Sequence, residues 1–311
     1  MCQNRLVASR DSHQFPRADS SAAVYQRRRR AAGAALLAFA AVVVWGVSAL
    51  GGGSEGGSNG TGFAARILKI GGIGPDSLLA RQDVIETAAV ASVYQQTPYI
   101  VRGGGGQKVV ALTFDDGPSE WTPQILAILR KEGVGATFFS VGGVISTFGA
   151  NSVAAHQAGY PVGDHTWSHP QMPSFSLADQ KLEIDRTSDA LTGLGLPKPS
   201  LYRPPYGAYD QTTLALLKKR KMLLVLWDVD TLDWSRPGAD VIVQNALSQV
   251  QSGSIILMHD GGGDRTQTLA ALPRIIAGLR QRGYQMVTVP TLLVEDPPRP
   301  GETPPAAGAG A

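Results

Sequence analysis

Between residues 107 and 294 the chain alternates short apolar runs with longer mixed stretches. The apolar runs lie at 109–114, 136–141, 160–163, 201–203, 223–227, 254–258 and 285–289. Each ends at turn residues, the pattern of a buried strand. Helix candidates lie between and after them, at 123–131, 151–158, 177–194, 211–221, 240–251 and 268–282. Ser176 stands where the third helix needs an N-cap, and Gly133, Gly159 and Gly283 follow helices as C′ residues do. Strict strand–helix alternation argues an α/β fold with a parallel sheet, here a distorted (β/α) barrel of about seven to eight strands. An open doubly wound sheet is the second architecture the pattern permits. No internal repeat is visible.

Upstream the pattern changes. Residues 31–50 form an uncharged apolar run directly after Arg27 to Arg30. Twenty such residues match the length that spans a bilayer, and the basic flank predicts a cytoplasmic tail at 1–30 with the rest outside the cell. A cleaved signal peptide is the other reading, since Val47-Ser48-Ala49 resembles a small-residue cleavage site. The protein is therefore expected at the cell membrane as a single-pass protein with an extracellular domain, or secreted if cut near Ala49. Residues 51–106 read as a linker or stalk: a Gly/Ser tether at 51–62, a mixed segment at 63–102 with a helix candidate at 76–93 that forms either a stalk or a flap against the domain, and a Gly hinge at 103–106. The Pro/Gly/Ala-rich stretch 295–311 is expected to be disordered.

Charge and cysteine content narrow the chemistry. The first 30 residues carry seven Arg and two Asp, so the tail holds +5 of a chain whose total is +3, and the remainder is net negative. The body thus has no basic stripe for nucleic acid. The lone cysteine, Cys2, precedes the apolar run, so the globular part can form no disulfide and any metal site in it must use His and carboxylate.

Five polar clusters sit at downstream ends of the apolar runs: Thr113 to Pro118, His165 to His169, Arg203 to Gly207, Asp228 to Trp234 and Leu257 to Asp260. Carboxyl ends of barrel strands converge on one face, where such folds keep their chemistry. His165 and His169 are four apart, and a helical turn after the strand would bring both imidazoles to one cation. Asp115 and Asp116 are adjacent carboxylates that would repel, unless a cation takes one and leaves the other as a base. Capping of the next helix is the simpler alternative. His259 ends another apolar run, with Asp233 and Trp234 on a neighbouring strand end able to hold its imidazole. Asp228 and Asp230 read as turn residues or as residues that support the site from behind. Arg203, set before Pro204 and Pro205, could orient Asp115. Two His, one Asp and an open position suit a divalent metal, zinc first, with cobalt or another divalent ion compatible.

Together these clusters resemble the five motifs of the polysaccharide deacetylases, carbohydrate esterase family 4 or the NodB homology domain, over about residues 107–294. The resemblance implies Asp115 as general base, Asp116, His165 and His169 as metal ligands, and His259 as general acid tethered by Asp233. It implies that Arg203 tunes Asp115, that the Tyr206 backbone N–H helps hold the oxyanion, and that Trp234 and Leu257 wall a pocket for the acetyl methyl. Pro161 stands where relatives often carry Glu, with no evident consequence for the metal. The implied function is removal of N-acetyl groups from a hexosamine polysaccharide outside the cell, peptidoglycan first. A chito-oligosaccharide substrate, O-acetyl esterase activity and a non-catalytic wall-binding module are the alternatives.

Overall fold

The structure, a computed structural model, describes residues 75–298. The expected basic tail, the apolar segment 31–50 and the Gly/Ser tether lie outside the described residues. Among the described residues, no helix is long and apolar enough to cross a membrane.

Nine strands alternate with helices: α1 (Pro75–Tyr94), β1 (Tyr99–Ile100), β2 (Val109–Asp115), α2 (Thr122–Glu132), β3 (Thr137–Ser140), α3 (Ile145–Gln157), β4 (Val162–Asp164), α4 (Leu177–Gly193), β5 (Leu201–Tyr202), α5 (Gln211–Arg220), β6 (Leu223–Val225), β7 (Val229–Asp230), α6 (Ala239–Gln249), β8 (Ile255–His259), α7 (Thr266–Gln281), β9 (Gln285–Val287) and α8 (Val289–Glu295). Every pairing between strands is parallel, in the order β1-β6-β5-β4-β3-β2-β8-β7. The last strand, β9, pairs with the first half of β2, and β3 takes the second half. One antiparallel bridge, Arg102 with Ser254, ties the β1 end back toward β8. The result is a parallel-strand half-barrel.

Strand β2 shows how sequence sets the layers. All seven of its residues are buried, and successive side chains take opposite faces. Val110, Leu112 and Phe114 pack outward with Leu126 and Leu129 of α2 and with Ile275 and Leu279 of α7. Val109 and Ala111 share the inner cluster with Phe139, Leu223, Val225 and Ile255, together with Val289 and Leu292 of α8. Thr113 and Asp115 continue that inner face, so the interior turns from apolar to polar toward the carboxyl ends of the strands.

Helix ends follow the expected caps. The Ser176 hydroxyl accepts from the Asp179 amide, and Gly133, Gly159 and Gly283 adopt positive φ. Departures have local causes. Strands β1 and β7 are two residues long, too short to show alternation. Helix α3 begins six residues ahead of its expected start, because β-branched and glycine residues at 145–150 hide a turn held by packing of Ile145. The strand expected to run to 289 stops at Val287, where the Thr288 hydroxyl caps α8 by accepting from Thr291.

Of the two readings of the segment before residue 107, a stalk or a flap, the contacts favour one packed against the domain. Val90 and Val93 of α1 and Ile100 of β1 belong to the inner cluster, so the fold begins well before residue 107. The Gly hinge is pinned too: Gly105 and Gly106 donate their amides to the Asp296 carboxylate at 2.8 and 2.9 Å. Asp296, placed by composition in a disordered tail, is buried.

Candidate active site

Asp115 and Asp116 leave β2 in different directions. Asp115 keeps the inner face, where its Oδ1 accepts from Arg203 Nη1 at 2.8 Å. Asp116 takes φ 69°, which swings its carboxylate out of the strand's alternation. There Asp116 Oδ1 lies 3.1 Å from His169 Nε2 and 3.5 Å from His165 Nε2. The backbone of the β8–α7 turn backs it: a Cβ built on Gly262, itself at φ 72°, would fall 2.5 Å from Asp116 Oδ2.

The two imidazoles meet, but by a different route from the helical turn that their spacing suggested. Beyond β4 the chain has no helix at 165–169, and Thr166 (φ 68°) and His169 (φ 59°) are both left-handed. His165 is buried, and its Nδ1 donates to the Arg203 carbonyl at 2.7 Å. In the neutral ring that bond leaves Nε2, the nitrogen toward Asp116, without a proton and free to bind a cation. His169 Nδ1 lies 3.2 Å from the Tyr206 hydroxyl, and the two histidine rings meet edge to face at 5.0 Å.

One ligand atom from each of Asp116, His165 and His169 lies within 4.8 Å of the others. Asp116 Oδ1 is buried with no hydrogen-bond partner in protein. Burial pushes the Asp116 carboxyl up, yet the neighbouring imidazoles outweigh it and hold the group well below the usual carboxylate range. Burial likewise opposes protonation of His165, and the charges of Asp115 and Asp116 overcome it and raise its pKa. An orphaned carboxylate oxygen between two imidazole nitrogens, in a locally negative setting, fits a divalent cation. Coordination by His and Asp does not choose between zinc and its neighbours.

Arg203 is fully buried and fully engaged. It donates to Thr113 Oγ1, to Asp115 and to the carbonyls of Val225 and Leu226, and its guanidinium lies 4.2 Å from the centre of the Phe139 ring. Asp115 is thereby fixed at Oδ1, while its Oδ2 lies 3.7 Å from His165 Nε2.

Across the β2–β8 pairing, His259 stands in register with Asp115. Its Nδ1 donates to Asp233 Oδ1 at 2.7 Å. The other Asp233 oxygen accepts from the His259 amide at 2.9 Å and from the Thr268 hydroxyl at 2.7 Å. Burial alone would lower the His259 pKa, but the Asp233 carboxylate dominates and, with Asp116 and Asp115, raises it to about 9. Asp228 accepts from the Ile255 amide and the Ser254 hydroxyl, and Asp230, the last residue of β7, accepts from the Leu232 amide in the turn that follows.

The remaining candidates frame this centre. Tyr206 takes φ 59° in the short turn after β5, with its side chain 48 % exposed. Trp234 follows Asp233 and is 51 % exposed, while Leu257 is buried two residues before His259. Four supporting features escaped sequence reading: the Thr268 bond to Asp233, the Tyr206 hydroxyl beside His169, Arg265 donating to the Gly261 carbonyl, and Glu183 beneath the histidine loop. Thr268 and Glu183 come from helices with no motif to mark them; Tyr206 lies in a noted cluster, but the place of its hydroxyl depends on the fold, and Arg265 reaches only four residues back.

Comparison with known proteins identifies the family. The polysaccharide deacetylase family model matches residues 102–225. A peptidoglycan-N-acetylglucosamine deacetylase of Bacillus cereus is 37 % identical over 195 residues, covering 60 % of this chain and 89 % of that protein. A chitooligosaccharide deacetylase of Sinorhizobium fredii is 35 % identical, covering 61 % of this chain and 94 % of its own. The crystal structure of the Bc1960 peptidoglycan N-acetylglucosamine deacetylase superposes with a TM-score of 0.62 at 34 % identity, covering 67 % of this chain and 98 % of that one. The chain belongs to the polysaccharide deacetylases of carbohydrate esterase family 4.

Proposed function

We propose that this protein is a metal-dependent deacetylase that hydrolyses N-acetyl groups of a hexosamine polysaccharide, peptidoglycan N-acetylglucosamine first. The observation that carries the reading is the adjacency of three elements: the Asp116, His165 and His169 cluster, the Arg203-held Asp115, and the Asp233-held His259. Enzymes of this family are metalloenzymes in general. A cation held by Asp116, His165 and His169 would supply Lewis-acid activation of a water and of the acetamide oxygen.

The chain's own residues complete the chemistry. Asp115 takes a proton from the attacking water at Oδ2, the oxygen that Arg203 does not hold. The water oxygen bonds to the acetamide carbon, and the Tyr206 N–H donates to the oxyanion that forms. His259, charged through its bond to Asp233, gives its Nε2 proton to the departing nitrogen as the C–N bond breaks. Acetate and a free amine on the sugar result. Trp234 and Leu257 flank the acetyl methyl. An anchor at 31–50 would hold this domain outside the membrane, beside the wall polymer.

Acetate release from intact peptidoglycan, chito-oligomers and acetylxylan, with and without chelator, tests the proposal. Release from the first, abolished by chelator and restored by a divalent ion, is the expected result. Release from acetylxylan alone would make the protein an O-acetyl esterase. No release from any polymer by metal-loaded protein would leave a carbohydrate-binding module.

A further inference from the structure

We infer that Glu183 is a positioning residue for the cation site, acting through the backbone of the 165–169 loop; the inference rests on the metal-dependent reading above. Glu183 projects from α4 and is buried. Its Oε2 accepts from the amides of Trp167 and Ser168 at 2.9 and 2.7 Å, and its Oε1 accepts from the Ser168 hydroxyl at 2.8 Å. All three donors lie in the two residues directly before His169.

This loop needs such a clasp. It has no helix or strand of its own, and it carries left-handed φ at Thr166 and His169. A left-handed L-residue costs roughly 1–2 kcal/mol, so the conformation persists only if surrounding contacts over-determine it. A side-chain oxygen that gathers consecutive backbone amides supplies that determination through hydrogen bonds directed at fixed points of the loop. The same helix grips the loop at two further points. The Ser188 hydroxyl donates to Asp164 Oδ2 at 2.8 Å, and the Arg186 guanidinium lies 4.0 Å from the centre of the Trp167 ring. Helix α4 therefore holds the backbone on both sides of His165 and up to His169. Glu183 bonds to neither imidazole, so its effect passes through the loop. Partners that fix metal ligands from behind are typically worth about 10- to 100-fold in affinity.

The test measures zinc affinity directly, by competition with a chromophoric chelator on metal-stripped protein. Glu183→Ala should bind zinc about 10- to 100-fold more weakly than wild type. Glu183→Gln should stay within about 3-fold, because its carbonyl still receives the amides and its NH₂ can donate to the Ser168 hydroxyl. Ser168→Ala, which removes one of three bonds, should lose about 3- to 10-fold. Unchanged affinity in Glu183→Ala would overturn the inference; so would a Glu183→Gln loss as large as that of Ala, which would make bulk charge the cause. Should Glu183→Ala fail to fold, the Ser168→Ala and Glu183→Gln pair decides, and wild-type affinity in Ser168→Ala refutes the clasp. If wild type binds neither zinc nor cobalt nor another divalent ion, the metal-dependent reading fails; if wild type binds and the variants bind equally, only the role of Glu183 fails.

Discussion

Asp115 and Asp116 are chain neighbours assigned opposite tasks, and one backbone torsion separates them. With φ 69° at Asp116, one carboxylate joins two imidazoles while the other stays against Arg203. Asp115→Asn should keep the fold, because the amide oxygen can still receive the Arg203 donor. It should lower turnover by about 10²- to 10⁴-fold, the usual contribution of a positioned base. Acetate-release kinetics check this, and wild-type turnover in the variant would remove Asp115 from the base role. His259 carries a pH prediction. Its pKa in the folded protein is raised from 6.5 to about 9. A raised histidine pKa contributes stability that is fully present below the unfolded value and lost as pH rises through the folded one. The stability that the His259–Asp233 charge pair contributes should therefore fade between about pH 6.5 and 9, while the acid's proton in the folded protein is lost only around 9. A bound cation offsets the part due to Asp116, so the alkaline limb of kcat in the loaded enzyme should fall at or below 9. Asp233→Asn removes the dominant raising charge, and its limb should move downward toward the ordinary imidazole value. A limb that stays in place would sever the link between Asp233 and the acid.

At the scale of elements, strand ends were legible and the turns beyond them were not. The run 109–114 announces β2, and the polar residues at its end announce a site, because a buried strand that closes on two carboxylates needs a partner for them. The spacing of His165 and His169 suggested a helical turn, whereas left-handed residues at Thr166 and His169 do the work. Asp116 and Tyr206 are left-handed as well, so four of the seven non-glycine residues with positive φ among the described residues lie at this centre. Composition cannot disclose such torsions, since Asp, Thr, His and Tyr all favour negative φ elsewhere. Their concentration here is how strained backbone tends to gather at functional sites. Gly262 is the exception that sequence could have flagged, in a Gly-Gly-Gly turn after β8. Gly262→Ala puts a Cβ 2.5 Å from Asp116 Oδ2 and adds left-handed strain at φ 72°. It should cost about 1–2 kcal/mol of stability and weaken metal binding, because the relief available is to push the Asp116 carboxylate away. Thermal unfolding of metal-free protein and zinc titration separate the two effects. An Ala variant equal to wild type in both would show that this turn does not fix Asp116.

For the whole molecule, the segment that composition left between a stalk and a flap contributes to the barrel's interior. Residues 75–106 look like linker because α1 lacks a clear apolar stripe and ends near a run of glycines. In three dimensions Val90, Val93 and Ile100 join Val289, Leu292 and Leu293 inside the half-barrel, and β1 adds a strand beside β6. Burying a Val or Ile side chain fully contributes about 1.5–3 kcal/mol, so these three residues alone represent several kcal/mol, comparable with the net stability of a domain. The candidate site depends on this indirectly. The β6 end supplies the Val225 and Leu226 carbonyls that hold Arg203, and Leu226 in turn donates its amide to Ile100. A chain that starts at residue 107 should therefore unfold at a markedly lower temperature than one that starts at 75, and should lose deacetylation because Arg203 and Asp115 lose their frame. Thermal melts and acetate release on the two chains test the point. Equal melting temperatures and equal turnover would return residues 75–106 to the role of tether, and would place the stability of the Arg203 cradle entirely within β2 to β9.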